Sequence, residues 1–168
     1  LPGIMSLFEA YPLTAKPMCE LAEQLLRGPS TLSPFDREMI ATYTSSLNNC
    51  EFCRKSHAAI AVAYETKNLP WIEKILRQEI PDDLDEKLKS LLSVAQAVQQ
   101  NNKSLSERAV LSAKEAGATD DEIHTATLIS AAFCMYNRYV DGLGSSCPKD
   151  DASFQVMGKE IAVHGYIR

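Results

Sequence analysis

At 168 residues, with 45% hydrophobic and 23% charged side chains, the chain suits one globular domain spanning residues 1–168, with enough apolar material to bury a core. Seven glycines and eight prolines exclude collagen-like and low-complexity chains. A formal net charge of −5 leaves no basic surplus to grip a phosphate backbone, so no nucleic-acid partner is expected.

The apolar pattern is helical throughout, and no stretch alternates as a strand would. The first predicted helix runs from about Ala15 to Arg27, with Met18, Leu21, Ala22, Leu25 and Leu26 as its stripe. Gly28-Pro29 ends it, Gly suiting a left-handed cap. Ser33-Pro34 then supplies an N-cap and a proline at the first helical position. Phe35, Met39, Tyr43 and Leu47 recur every four residues along the second helix, and Asn48-Asn49 breaks it. A third, Ala-rich helix starts near Cys50 and ends near Thr66. A short helix follows from Leu69 to about Gln78. Pro81-Asp82-Asp83 opens the next, which carries Leu84, Leu88, Leu91, Leu92, Ala95 and Val98. Ser104 with Glu107, and Thr119 with Glu122, read as capping boxes. The second of these opens the longest helix, to about Gly142. The tail reads as irregular from Ser145 and weakly helical around Phe154 to Ile161. The expected fold is therefore all-α, about seven helices, with a Cys-x-x-Cys pair at the N-terminus of a central helix.

No apolar run approaches the roughly 18 residues of a membrane helix. No basic segment followed by an apolar one opens the chain, so no signal peptide is expected, and the cytoplasm is the expected compartment.

Five cysteines, an odd number, do not form a secreted disulfide scaffold. Cys50, Cys53 and His57 are spaced C-x2-C-x3-H. At about 100° per residue they project within about 60° of one another on one helix face. Cys53 and His57, four residues apart, are surface neighbours. The helix N-terminus and the imidazole both favour thiolate over thiol. The dipole alone favours Cys50 as the nucleophile, and the histidine contact favours Cys53. Glu38 lies twelve positions before Cys50. If Asn48-Asn49 folds the two helices into an antiparallel hairpin, Glu38 stands roughly 15 Å from the turn and His57 roughly 12 Å. The carboxylate then faces the imidazole, which it would orient as a base. The competing readings are a zinc site with Glu38 as fourth ligand, and inert packing cysteines. No Gly-rich nucleotide motif is present, and no cofactor is expected.

Glu38-x11-Cys50-x2-Cys53-x3-His57 resembles, without insertion, the signature of alkylhydroperoxidase D (AhpD)-like proteins of the carboxymuconolactone decarboxylase superfamily. The similarity includes Pro2-Gly3-Ile4, Leu32 to His57, Ala131-Ala132-Phe133 and Asn137-Arg138-Tyr139-Val140-Asp141, the last marking a peroxidase-related subgroup. The resemblance implies an all-helical fold, thiol-dependent hydroperoxide reduction in antioxidant defence, and a homo-oligomer, trimer or hexamer. It implies Cys53 as peroxidatic cysteine, Cys50 as resolving cysteine, His57 as base and Glu38 as its polarising partner. A protein or lipoyl-type dithiol would return the electrons. Phe52 stands where the best-known AhpD proteins carry a second histidine, so that proton donor is missing here. The superfamily's decarboxylases lack the Cys pair, so these residues do not support lactone decarboxylation. The alternatives are a general thiol-disulfide oxidoreductase and a Cys/His metal-binding module. Cys19 and Cys134 read as packing residues, and Arg138 with Asp141 as an i, i+3 ion pair.

Overall fold

The computed structural model describes residues 1–167. Among them are nine α-helices and no strand: α1 (Ile4–Ala10), α2 (Pro12–Arg27), α3 (Pro34–Leu47), α4 (Glu51–Tyr64), α5 (Leu69–Leu76), α6 (Glu86–Gln99), α7 (Lys103–Glu115), α8 (Asp120–Gly142) and α9 (Asp151–His164). A single 3-10 turn, Thr66–Asn68, joins α4 to α5. The two helices beyond the expected seven lie at the ends of the chain. α1 follows Gly3, whose φ of +55° no cap residue announces. α9 turns the weakly patterned tail into four turns, opened by Asp150 accepting from the Ser153 amide.

Local chemistry sets most boundaries. Ser33 and Asp36 form a reciprocal capping box at the start of α3, and Thr119 and Glu122 another at α8; such a cap stabilises by about 1 kcal/mol. α7 is capped instead by Asn102, accepting from Leu105, so Ser104 lies inside the helix and makes no capping box. Asp85, not the Pro81 segment, caps α6. Gly28 ends α2 with φ −59°, not left-handed. Its lack of a side chain serves closeness instead, since a Cβ there would stand 2.5 Å from the Gln24 carbonyl oxygen.

Asn49, with φ +56°, reverses the chain between α3 and α4. α3 then packs along α4 on one side and against α6 and α8 on the other, while α9 lies along α4. Leu26, Met39, Ile40, Leu91, Leu92, Ile129 and Phe133 form the centre of the main core, each at 0 or 1% exposure. A smaller apolar cluster gathers Cys50, Phe52, Cys53, Val140 and Phe154 where α4, α8 and α9 meet. Among the described residues no helix is long and apolar enough to cross a membrane.

Candidate active site

Cys50 is the N-cap of α4, in extended backbone, and Cys53 lies in the first turn of the helix. Both thiols are reduced and buried. His57 follows one turn later. The α3–α4 hairpin brings Glu38 to it, with His57 Nδ1 2.7 Å from Glu38 Oε2. A carboxylate only accepts, so Nδ1 carries a hydrogen and donates to Glu38. Glu38 is fully buried and the His57 side chain 12% exposed, so this contact sits in a low-dielectric interior. The Phe133 ring meets the imidazole edge-on at 4.6 Å and holds its plane.

A further residue completes the carboxylate. Tyr166, in the segment after α9, donates its hydroxyl to Glu38 Oε1 at 2.5 Å, lies 3.4 Å from His57 Nδ1 and stacks on the imidazole. The sequence reading missed it because nothing local marks it except Gly165, a helix-ending glycine followed by an aromatic. Gly165 has φ +82°, and a Cβ there would press on the Glu23 carboxylate at 2.5 Å. That carboxylate accepts from the Tyr166 amide, and Arg27 beside it donates to the Tyr64 hydroxyl and to the carbonyls of Ile161 and Ala162. Thus α2 fixes the end of α9 and aims the phenol.

Burial, and then the Glu38 charge, raise the Tyr166 phenol well above its ordinary range, and burial pushes Tyr136 up to about 12. Tyr166 is therefore a neutral donor. An unfolded chain would ionise both near pH 10, while the folded chain keeps their protons. Stability is thus complete below about pH 10 and falls as pH rises toward about pH 12. Urea midpoints measured at either end of that range are expected to show the drop.

The two sulfurs differ. Cys50 Sγ donates to Asp141 Oδ1 at 3.3 Å. Its thiol is pushed far above the usual range, first by its hydrogen bond with Cys53 and then by burial, with Asp141 adding in the same direction. The N-cap position that would favour a thiolate at Cys50 is thus occupied by a buried sulfur that donates to a carboxylate. Asp141 serves Cys50 and not Arg138, whose guanidinium donates to the Cys134 carbonyl. Among the described residues no hydrogen bond joins His57 to either sulfur, and no three His, Cys, Asp or Glu side chains form a metal-holding group.

His57, Phe52 and Tyr166 line an apolar cavity of about 530 Å³, together with Ile4, Phe8 and Met157. Neither sulfur lines it. Phe52, which clusters with both cysteines, meets Phe154 in a tilted ring pair at 6.1 Å. Gly3 closes on the Phe52 ring so tightly that a Cβ would stand 2.4 Å from it, and the Gly3 amide donates to the Ser146 carbonyl. Other cysteines and histidines stand elsewhere. Cys19 is half-buried at the cavity, Cys134 is half-buried and accepts from Asn48 Nδ2, and His124 and His164 are exposed.

A family model described as the carboxymuconolactone decarboxylase family matches residues 12–67 and 67–144. The chain belongs to that family. No curated protein matches it. Among solved structures, it is similar to one titled alkylhydroperoxidase AhpD core, an uncharacterized peroxidase-related protein from Ralstonia eutropha JMP134, with TM-score 0.82 and 24% identity over 95% of this chain and 82% of that one. It is also similar to an uncharacterized peroxidase-related protein from Silicibacter sp. TM1040, with TM-score 0.71 and 23% identity over 83% of this chain and 71% of that one. A protein of unknown function from Agrobacterium tumefaciens gives TM-score 0.73 and 21% identity over 85% of this chain and 96% of that one. These likenesses establish an AhpD-like carboxymuconolactone decarboxylase fold for the chain.

Proposed function

We propose that this chain is a thiol-dependent peroxidase of the AhpD type, active in antioxidant defence on organic hydroperoxides. The observation that carries the reading is geometric: a buried Glu38–His57 pair stands one turn beyond Cys53 on α4, while the N-cap Cys50 donates away from it to Asp141, which assigns Cys53 as the nucleophile. The Cys53 thiolate attacks the terminal peroxide oxygen. An S–O bond forms, the O–O bond breaks, and the alkoxide leaves as the alcohol once protonated. Cys53 is then a sulfenic acid, and the Cys50 sulfur displaces its oxygen as water to close the disulfide. A protein or lipoyl-type dithiol reduces the pair again. His57, oriented by Glu38, takes the Cys53 proton through water, because no direct bond joins ring and sulfur. The apolar cavity beside His57 and Phe52 suits an apolar organic group rather than hydrogen peroxide alone. A cytoplasmic homo-oligomer belongs to the same proposal, with exposed Leu13 on α2 and Leu128 and Met135 on α8 as its contact residues.

Stopped-flow mixing of the reduced protein with an alkyl hydroperoxide is the test. Cys53→Ser is expected to lose the fast reaction by at least about a hundredfold, while Cys50→Ser still turns over once. Equal rates for Cys53→Ser and the unaltered protein would overturn the reading. Neither sulfur reaches the cavity, which favours a second reading, general thiol–disulfide exchange. Activity on a model disulfide with none on peroxides would select it.

A further inference from the structure

Cys50 is fully buried and Asp141 is exposed, yet their polar atoms lie 3.3 Å apart. A buried thiol that must become a nucleophile needs somewhere to put its proton. The groups around Cys50 are few. From α4 come Cys53, which is spent once oxidised, and Glu51, engaged by Arg54 and Lys55. From the loop after α8 comes Cys147, itself raised by burial. From α8 comes Asp141, whose Oδ1 accepts from Cys50 Sγ, with Arg138 in the same cleft. The Asp141 carboxylate opens into a polar cleft of about 430 Å³ lined by Asn48, Asn137, Arg138 and Gly142, none of which lines the apolar cavity.

We infer that Asp141 is the proton acceptor for Cys50 when the disulfide closes and the proton donor to it when the disulfide is reduced. The inference rests on reading Cys50 as the resolving thiol. In closure, the Cys50 S–H proton passes to Asp141 Oδ1 as the S–S bond forms and the Cys53 S–O bond breaks; the leaving hydroxide is protonated to water, and Asp141 returns its proton to the solvent of the cleft. In reduction, an external dithiol attacks Cys53, the S–S electron pair goes to Cys50, and protonated Asp141 quenches the new thiolate. The site thus has two proton circuits: Glu38–His57 for Cys53 and Asp141 for Cys50.

The test follows closure itself. Reduced protein is oxidised in parallel with an alkyl hydroperoxide and with diamide, and Cys50–Cys53 disulfide is counted by mass mapping after a rapid quench. In Asp141→Asn, closure is expected to slow at least about tenfold relative to the first oxidation step. It should also become hydroxide-dependent, rising about tenfold per pH unit, where the unaltered protein is flat. Asp141→Glu, which keeps a carboxylate, should restore part of the rate and the flat profile. Closure by Asp141→Asn at the original rate with a flat profile would overturn the inference. The diamide arm separates the two claims: an Asp141-dependent closure with diamide and no reaction with peroxide keeps this inference and removes the peroxidase reading.

Discussion

Glu38→Ala is expected to lower the melting temperature by about 6–20 °C. The carboxylate is fully buried and each oxygen holds a different partner, His57 on one and Tyr166 on the other. Truncation leaves a cavity, strands a ring N–H and leaves a phenol donor without its acceptor. Breaking a buried polar pair from one side costs about 3–5 kcal/mol, and a protein of this size loses about 2–4 °C per kcal/mol. Glu38→Gln keeps the volume and one acceptor oxygen, so it should cost roughly half as much. It replaces a charge with a dipole, however, so the peroxide reaction should still fall at least about tenfold in protein that remains folded. Thermal melts together with stopped-flow rates well below the transition check both. A melting temperature for Glu38→Ala within about 2 °C of the unaltered protein would mean that the carboxylate does not hold this network in solution.

Gly158→Val is expected to separate α9 from α4. A Cβ on Gly158 would stand 2.6 Å from the carbonyl carbon and 2.7 Å from the carbonyl oxygen of Ala59, which are backbone atoms inside a helix and have no rotamer to escape into. One of the helices must move. Overpacking of this kind costs about 3 kcal/mol, and the expected drop in melting temperature is about 6–12 °C. The consequence reaches further than stability, because α9 carries Phe154 against Phe52 and, beyond its end, Tyr166 against Glu38. The peroxide reaction should therefore weaken even at temperatures where the variant is folded. Hydrogen exchange at the Tyr166 amide, which donates to Glu23, reports whether the end of α9 has lifted.

What could be read from the residues was what a single helix encodes. Ser33-Pro34, Thr119 with Glu122, and the Asn48-Asn49 break are local signals, and helix rise alone brought Glu38 level with His57. The caps of α6 and α7 lie two to four residues from where the sequence pattern puts them because Asp, Asn and Ser near a helix start compete for the same amide. α1 has no side-chain cap and no sustained periodicity, and its end is pinned by Gly3 against Phe52, a contact only the folded chain supplies. Helix spacing permits an Asp141–Arg138 pair, but in the fold Arg138 donates to the Cys134 carbonyl and Asp141 accepts from Cys50 at the start of α4, and no helical period carries that information. Tyr166 was invisible for the same reason, since its partner is reached only after α9 has docked.

The Glu38–His57 contact joins residues 19 apart in sequence, whereas the Tyr166–Glu38 contact joins residues 128 apart. Closing the longer loop costs about 1.7 kcal/mol more in chain entropy. The antiparallel hairpin can therefore form its half of the network early, and the phenol arrives last. In the reverse direction, the segment beyond α9 is the cheapest part of the network to release. Brief local opening there would wet Glu38 while α3 and α4 stay paired.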